Sequence, residues 1–414
     1  MKKLNVWLIQ PGEPLPLDPN IKKMRTAHLA DKLVERGHSV LWWTSAFDHF
    51  KKAWIIRRSA EMTLENGAKI FALKGTGYRK NFSLARVADH RVIALKFRRA
   101  VKTMDRPNIV VASTPPHDLA YQAVRYAKKN GIPVLVDIRD EWPDLLLNVF
   151  PRRSRPLFKL FLARDFRMIR EALQEADGLV AMMESLLAWG LRYAGRSRRA
   201  WDRVFYLGDV KTDAGPGRSP KLGFLDALNG KFVVTFLGTF VRNNNPSILI
   251  ECAQRLKDRS IVFVLGGDGE LLTEMKKRAG GLPNVFFPGW LHEEDMRALL
   301  RCSHIGVCPT NQERDAFPNK AFAYLSAGLP ILSAFRGELR DIIEKRQIGF
   351  YFTYDDVVAL ASSIARLDED RTLYRKMAKN AKIIFDEMFN ADTIYSNYTD
   401  YIEMMSNLKS EKRT

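Results

Sequence analysis

Short apolar runs alternate with amphipathic helical segments along most of the chain. The first half begins with an apolar strand at 5–10, a helical segment at 22–36 that stops before Gly37, and a second strand at 39–44. The same alternation continues with predicted strands at 108–112, 134–138, 178–182 and 204–207 and a predicted helix at 119–130. Short buried strands that alternate with helices are typical of a doubly wound parallel sheet.

This alternation is interrupted between Gly208 and Gly230, where glycine, proline and small polar residues dominate. We interpret this segment as an interdomain linker. A second α/β series follows, with predicted strands at 232–237, 261–265, 285–287, 305–308 and 331–333 and helices at 246–257, 271–278, 293–301 and from Asn319. The pattern therefore predicts an α/β protein with two Rossmann-like domains facing a cleft, at 1–208 and 209–388. A last amphipathic helix is predicted at 390–405.

Length and composition agree with a two-domain globular protein. The 414 residues exceed what one ordinary core organises, and 46% of them are hydrophobic. The apolar run at 4–9 is too short for a secretory signal, and no stretch approaches the roughly 20 apolar residues of a membrane span. We therefore expect a cytoplasmic protein. Its three cysteines, Cys252, Cys302 and Cys308, lack metal-site spacing and are expected to be reduced core thiols.

Charge is concentrated in the first half of a chain whose net charge is +19. Residues 51–105 contain 14 basic and 4 acidic residues, and residues 151–170 contain 7 basic residues and one aspartate. Apolar side chains are interleaved with the cations in both blocks. This pattern favours an anionic membrane surface as a partner rather than nucleic acid, with ordinary solvated faces as the alternative.

Four loops that follow predicted strands carry chemistry at the edge where open parallel sheets bind ligands. They lie at 10–14, 238–242 and 266–270 and at the start of 317–332. The glycines at 266–269 do not form a dinucleotide-binding G-x-G-x-x-G, because Leu272 occupies the last glycine position, and no P-loop sequence occurs. The loops therefore predict phosphate binding of another kind.

Lys320 lies in the first turn of the helix predicted within FPNKAFAYLSAGLPIL. Free N–H groups at a helix N-terminus favour an anion, and the lysine adds a full charge there. Arg242 follows a neighbouring strand, so the two cations are expected to clamp a diphosphate and stabilise it as it leaves. The alternative is an ordinary solvated lysine.

Nine segments resemble glycosyltransferase family 4, which has the GT-B fold, and particularly its bacterial O-antigen and capsule members related to fucosamine transferases. In chain order they are VWLIQPGEPLP, LVERGHSV, TSAFDH, GYRKNFSLARVADH, VDIRDEWPD, LGTF, LGGDGELL, NVFFPGW and PNKAFAYLSAGLPIL. Their order and spacing carry the resemblance.

The resemblance implies a retaining transfer of a sugar from a nucleotide diphosphate sugar. Together with the basic, apolar blocks of the first half, it leads us to expect a lipid-linked glycan at the inner membrane face as the acceptor. Neither a cofactor nor a divalent metal is expected. It also implies that a C-terminal helix at 389–407 returns to complete the first domain.

The resemblance also assigns roles by position. Gly238, Thr239 and Arg242 are expected at the diphosphate, and Gly266, Gly267, Asp268, Gly269, Phe287 and Trp290 at the nucleotide. Gly12, with Glu13 beside it, is expected to approach the phosphate or the sugar, and His117 to contact the sugar. Arg139, Asp140 and Trp142 are expected on the acceptor side. A surface-loop role for His117 and a structural role for Trp142 are the alternatives.

Two positions depart from the family pattern. Family members place a lysine five residues beyond the arginine, where this chain has Ser247, so we expect Lys320 to supply the missing charge. The family's two glutamates map onto Asp315, expected at the donor sugar, and Ala323, which cannot bind the ribose. These departures keep two alternatives open: a nucleotide-sugar-binding protein without full catalysis, and a sugar-nucleotide epimerase.

Overall fold

The computed structural model describes residues 3–18, 21–147, 150–211, 223–312 and 315–410. The chain forms two compact units, Met1–Leu207 with Thr393–Thr414 and Gly208–Asp392. The sequence places the corresponding divisions after residues 208 and 388. Most of the predicted linker, 212–222, lies outside the described residues.

The first unit contains one mainly parallel sheet with helices between its strands. In chain order its elements are β1 (Asn5–Ile9), α1 (Arg25–Glu35), β2 (Ser39–Ser45), β3 (Phe47–Asp48), β4 (Ala53–Trp54), β5 (Ala60–Thr63), β6 (Lys69–Leu73), α2 (Leu84–Ala100), β7 (Ile109–Thr114), α3 (His117–Lys129), β8 (Val134–Ile138), α4 (Asp144–Leu147), α5 (Arg155–Phe161), α6 (Ala163–Glu175), β9 (Gly178–Ala181), α7 (Glu184–Ala194) and β10 (Arg203–Val204). The sheet order is β10-β9-β8-β7-β1-β2-β6-β5, and only β5 is antiparallel to its neighbour.

The second unit is a six-stranded parallel sheet. Its elements are β11 (Phe232–Leu237), α8 (Ser247–Arg255), β12 (Ile261–Gly266), α9 (Leu272–Arg278), β13 (Val285–Gly289), α10 (Glu293–Cys302), β14 (Ile305–Cys308), α11 (Asn319–Ser326), β15 (Ile331–Ser333), α12 (Glu338–Arg346), β16 (Gly349–Tyr351), α13 (Val357–Glu369) and α14 (Arg371–Ile384). The order β13-β12-β11-β14-β15-β16 is the 3-2-1-4-5-6 order of the Rossmann fold.

A last helix, α15 (Ala391–Ser410), follows these elements. From Thr393 onward the chain belongs to the first unit. Tyr395 donates a hydrogen bond to the Leu207 carbonyl, and Glu403 pairs with His38 at 2.8 Å. The C-terminal helix therefore packs on first-unit residues.

In each sheet the strand order reverses at one point, and the loops that follow the two strands at this point lie next to each other. In the first unit this point lies between β1 and β7, and in the second unit between β11 and β14. Crevices of this kind at the carboxyl ends of parallel strands are the usual ligand sites of open α/β sheets.

Two further observations correct or limit the expectations. Cys252 and Cys308 are buried, but Cys302 is exposed, so the expectation of a core thiol is wrong at that position. None of the described helices is both long enough and apolar enough to span a membrane.

Candidate functional site

The loops after β11 and β14 are tied together at the reversal point of the second sheet. The Asn243 carbonyl accepts hydrogen bonds from the Thr310 hydroxyl at 3.1 Å and from the Asn311 N–H at 3.3 Å. The Asn311 side chain also donates to the Arg242 carbonyl at 3.2 Å. The two segments therefore form one joined surface beside the strand ends.

Glycine allows the loops after β11 and β12 to pack backbone against backbone. The Gly238 N–H donates to the Gly266 carbonyl at 3.0 Å, and the Phe240 N–H donates to the Asp268 carbonyl at 2.9 Å. Gly267 has φ +148°, and a Cβ there would overlap the Gly238 carbonyl oxygen. Only glycine permits this approach.

Helix α11 is anchored to the ends of both central strands by Tyr324. Its hydroxyl accepts from the Leu237 N–H at 2.8 Å and donates to the Val307 carbonyl at 3.4 Å. Gly306 leaves room for the ring, since a Cβ there would overlap Tyr324. The helix is buried from Ala321 to Leu325, so more than one of its faces belongs to the core.

This anchoring places the Lys320 ammonium against the loop after β11. Its Nζ lies 3.9 Å from the centre of the Phe236 ring, and a Cβ on Gly238 would come within 2.8 Å of it. Burial lowers the pKa of Lys320 to about 8. Among the described residues, no acceptor forms a hydrogen bond or ion pair with this ammonium. The Lys320 side chain is half-buried rather than fully exposed, and its proposed contact with a diphosphate stays a prediction.

Arg242 has a different environment from Lys320. Its side chain is 86% exposed, and its Nε lies 3.9 Å from a Glu270 carboxylate oxygen. Thr239 beside it is also exposed. Arg242 and Thr239 therefore lie on the open side of the joined loops, whereas Lys320 lies beneath them.

Asp315 and Ala323 occupy the two positions of the family's acid pair. An Asp315 oxygen accepts from the Glu338 N–H at 3.2 Å, so this carboxylate caps α12. Ala323 is 7% exposed. Ser247, which stands at the position of the family's lysine, is the buried first residue of α8.

The expected nucleotide side of the site lies along the ends of β12 and β13. Gly266 ends β12, and the exposed Asp268 accepts a hydrogen bond from the Gly269 N–H. Phe287 is half-buried and approaches Phe240 edge-on, while Trp290 is 55% exposed. Trp290 therefore offers an exposed aromatic surface directly after β13.

In the first unit, His117 begins α3 at the reversal point of the sheet and is 2% exposed. A surface-loop histidine is therefore wrong. Its Nε2 lies 2.7 Å from Asp165 Oδ1, and its buried Nδ1 has no partner among the described residues. Burial raises the pKa of Asp165, but the hydrogen bond and charge of His117 together with the charge of Arg91 outweigh it, and the net pKa is lowered.

Asp118 completes a buried group with His117 and Asp165. Its carboxylate oxygen lies 3.5 Å from the His117 ring, and burial raises the pKa of this carboxyl. The ligand atoms of these three side chains lie within 4.8 Å of one another, which is close enough to hold a metal ion. However, 2.7 Å between nitrogen and oxygen is a hydrogen-bond distance, and the requirement for a metal stays untested.

Glu13 and Arg139 form an ion pair in a buried network, and both side chains are at most 11% exposed. Arg139 also contacts Asp137 at 3.0 Å, and Asp137 receives a two-point contact from Arg25 at 2.9 and 3.0 Å. Burial favours a raised pKa at Asp137, yet the charges of Arg25 and Arg139 lower it. This network gives Glu13 and Arg139 a structural role that the sequence did not indicate.

Trp142 and Asp140 lie beyond the end of β8. Trp142 is 6% exposed, and the Arg86 guanidinium lies 4.6 Å from its ring centre. The Asp140 carboxylate accepts from the Glu141 N–H at 3.1 Å. Gly12 donates its N–H to the Gln10 side chain at 2.7 Å. Arg86 was missed as a candidate, although it lies within the quoted GYRKNFSLARVADH segment.

Comparison with known proteins finds a family match within the second unit. Residues 231–370 match the family model described as Glycosyl transferases group 1. This range holds all of β11 to β16, and it therefore includes the joined loops, Lys320 and Ala323.

Two curated relatives come from Escherichia coli. The chain is 27% identical over 178 residues to O-antigen chain mannosyltransferase C, which covers 42% of this chain and 47% of that protein. It is 27% identical over 186 residues to UDP-Gal:alpha-D-GlcNAc-diphosphoundecaprenol alpha-1,3-galactosyltransferase, covering 42% and 46%. The matches thus span about half the length of these relatives.

A solved structure extends the similarity to nearly the whole chain. The Anabaena protein Alr3699/HepE, solved in complex with UDP, superposes with a TM-score of 0.68 at 17% identity, covering 97% of this chain and 100% of that one. The predicted GT-B fold and the resemblance to bacterial glycosyltransferases are confirmed. The narrower likeness to fucosamine transferases stays a prediction.

Proposed function

We propose that this chain, which carries a Glycosyl transferases group 1 domain at 231–370, is a glycosyltransferase that uses a nucleotide diphosphate sugar. The observation that carries the proposal is the half-buried Lys320 at the sheet's reversal point, whose ammonium has no acceptor among the described residues. A buried charge without a partner is costly, and a diphosphate supplies the missing negative charge.

The second unit supplies the parts that such a donor needs. The paired loops at Gly238 and Gly267 allow close approach of a phosphate, and the exposed Arg242 offers a second cation as the leaving group develops charge. Trp290 offers a surface for the base. These residues act by charge and position, so the proposed transfer needs no metal, and we infer that it retains the configuration of the sugar.

The proposed acceptor is a lipid-linked glycan in the synthesis of a surface polysaccharide. The name of one E. coli relative gives a diphosphoundecaprenol acceptor, and that of the other gives an O-antigen chain. Exposed apolar residues beside cations on the first unit suit work at an anionic membrane surface. His117, held by Asp165, is the proposed sugar contact from the first unit.

The test is a transfer assay across a panel of nucleotide sugars with a polyprenyl diphosphate glycan as acceptor. We expect one donor to raise the melting temperature, because a ligand that binds only the folded state stabilises it. The same donor should be turned over when acceptor is present. Folded protein that transfers no sugar from any donor would overturn the proposal.

Ala323 favours a second candidate, a nucleotide-sugar-binding protein without transfer. The family's ribose-binding acid is absent there, and each lost charge-assisted hydrogen bond weakens binding by about 1.5–3 kcal/mol. Calorimetric binding of a nucleotide sugar without turnover would favour this candidate. Conversion of the donor in the absence of acceptor would instead identify an epimerase.

A further inference from the structure

A group of cationic and aromatic side chains lies on the first unit, outside the residues assigned above to the donor. We call it the Arg86 cluster, and it consists of His49, Lys52, Tyr78, Arg86 and Trp142. Its members come from the segment joining β3 to β4, the segment after β6, the first turn of α2 and the segment after β8. The first and last members, His49 and Trp142, are more than 90 positions apart in the sequence.

Two aromatic rings hold the Arg86 guanidinium. It lies 4.6 Å from the ring centre of Trp142 and 5.7 Å from that of Tyr78. Its Nη1 donates to the Asn81 carbonyl at 3.0 Å. Its Nε also donates to His90 Nε2 at 3.4 Å. These contacts fix the plane of the guanidinium, and the remaining N–H groups of the five that arginine carries can bind a ligand.

Lys52 brings a second cation to the same rings. Its ammonium lies 4.9 Å from the ring centre of Tyr78 and donates to the His49 carbonyl and to the Asn81 side chain. His49 Nδ1 and the Tyr78 hydroxyl are 2.5 Å apart. One hydrogen-bonded group thus joins both cations.

The carboxylates near this cluster accept hydrogen bonds from backbone N–H groups. Asp89 accepts from the N–H groups of Thr76 and Gly77 at 2.6 and 2.7 Å. Asp48 accepts from the N–H groups of Phe50 and Lys51 at 2.7 and 2.9 Å. Among the described residues, no carboxylate forms an ion pair with Lys52 or Arg86.

Two cations therefore share one partly buried place, and no described carboxylate forms an ion-pair contact with either of them. Asp89 and Asp140 still raise the pKa of Arg86, and Asp48 raises that of Lys52, but burial outweighs these charges. Burial lowers the pKa of Arg86, and burial followed by the charge of Arg86 lowers that of Lys52. Burial also lowers the pKa of His49 to about 4, so this imidazole is neutral near pH 7. The Asp140 carboxylate also accepts a hydrogen bond from the Glu141 N–H. A bound anion would relieve the repulsion.

We propose that the Arg86 cluster binds a phosphate or diphosphate group, and that this group belongs to the acceptor. The fixed fork of Arg86 suits two-point contact with phosphate oxygens, and Lys52 supplies a point charge beside it. The assignment of the phosphate to the acceptor rests on the proposed glycosyltransferase function. The binding of the anion itself does not depend on it.

The test measures inorganic pyrophosphate and farnesyl diphosphate binding to the full chain by calorimetry. Arg86→Met and Lys52→Met keep the aliphatic stems against the rings and remove the charge. Lys51→Met is the matched control, because the exposed Lys51 side chain adjoins the cluster without belonging to it. Lys320→Met removes the charge of the proposed donor site, so that pyrophosphate binding there is distinguished from binding at the Arg86 cluster.

We expect two classes of pyrophosphate site in the unsubstituted chain. Arg86→Met and Lys52→Met should each weaken one class about tenfold or more, while Lys320→Met weakens the other and Lys51→Met changes neither. Melting temperatures show that each variant is folded. Unchanged binding in both Arg86→Met and Lys52→Met, or an equal loss in Lys51→Met, would overturn the site.

The two probes distinguish the source of the phosphate. Tighter binding of farnesyl diphosphate than of pyrophosphate at the Arg86 cluster identifies a lipid-linked diphosphate, and equal binding identifies a free one. Either result supports the anion site. If binding depends on Arg86 but no nucleotide sugar is transferred, the proposed function fails while the site stands.

Discussion

Lys320 is a half-buried lysine whose ammonium lies against the Phe236 ring. Its pKa is lowered from 10.5 to about 8 because the folded protein surrounds the ammonium with apolar atoms. Folding thus favours the neutral amine, so the stability of the protein without ligand should rise as the pH increases from 8 towards 10.5. A bound diphosphate has the opposite effect, because it favours the ammonium.

The first prediction concerns diphosphate affinity and pH. The ammonium fraction falls about tenfold between pH 7 and pH 9 for a pKa near 8, so the Kd of the nucleotide diphosphate should rise by about the same factor. Calorimetry in two buffers should detect proton uptake on binding at pH 8. Lys320→Met should bind the diphosphate weakly, with a Kd that does not change with pH. Lys277→Met, at an exposed lysine, should keep the pH dependence. A pH-dependent Kd in Lys320→Met would contradict binding of the diphosphate by Lys320.

The second prediction concerns the vacant acid position. Ala323→Glu should lower the Kd of the donor by about tenfold or more, because one charge-assisted hydrogen bond contributes about 1.5–3 kcal/mol. Ala323→Gln, which adds the same length without charge, should gain less. Donor binding and KM measure the effect. The prediction fails if the glutamate variant folds and binds the donor no better than the glutamine variant.

At the scale of elements, the packing of the loop after β11 against the loop after β12 depends on glycine. Gly267→Ala would overlap the Gly238 carbonyl and strain a φ of +148°, so it should destabilise the fold by about 1–3 kcal/mol and weaken donor binding. Gly281→Ala is the control, with φ +85° and nothing within 4 Å of the added Cβ. Denaturation and donor affinity separate the two. Loss of stability without loss of donor binding in Gly267→Ala would contradict a role in the site.

The central strands were predictable because they are buried on both faces. The predicted ranges 134–138, 232–237, 305–308 and 331–333 coincide with β8, β11, β14 and β15. Each is a short, mainly apolar run between polar segments, which is the pattern of a parallel strand covered by helices. Such strands need no partner sequence to be recognised.

The region between β2 and β7 shows why other elements escaped prediction. The strands β3 and β4 have two residues each, and β5 alternates between partly buried and exposed side chains. Helix α2 buries Asp89 and His90 alongside Ile93 and Phe97, so its polar and apolar residues do not separate by face. Tertiary packing, rather than periodicity, stabilises this region.

At the scale of the whole molecule, exposed apolar side chains on α5 lie among exposed basic residues. Leu157, Leu160 and Phe161 are 58%, 72% and 74% exposed. Exposed cations surround them at Arg152, Arg153, Lys159, Arg164, Arg167 and Arg170. This surface combines what an amphipathic segment needs to lie on anionic lipid.

Replacing Leu160 and Phe161 together with serine should therefore weaken binding to vesicles that contain anionic phosphatidylglycerol. Burial of each side chain contributes about 1.5–3 kcal/mol, so a loss of about tenfold or more is expected in a sedimentation assay. Val358→Ser removes an apolar side chain that is 57% exposed on the second unit and serves as control. Equal sedimentation of the α5 variant and the original chain would contradict the prediction.

A second basic surface provides a test of charge alone. A groove of about 950 Å³ is lined by Arg98, Arg99, Lys102, Arg106, Arg125 and Lys129, with Glu175. Several of these cations lie at the C-terminal ends of α2 and α3, where positive charge offsets the helix dipole. Arg98→Ser with Arg125→Ser should affect vesicle binding less than the α5 substitutions, since it removes no apolar contact.

The sequence by itself determined the two α/β series and the loops that follow their strands, and it identified Lys320 and Ala323 as candidates to test. These features are local, because apolar runs, glycines and helix starts are read from neighbouring residues. Only the tertiary structure decided the environment of each charge. Glu13 and Arg139 are 126 positions apart yet form one buried ion pair, and Arg86 lies against Trp142 without a carboxylate. Whether a charge is neutralised, buried or left for a ligand depends on residues that the fold brings from elsewhere in the chain.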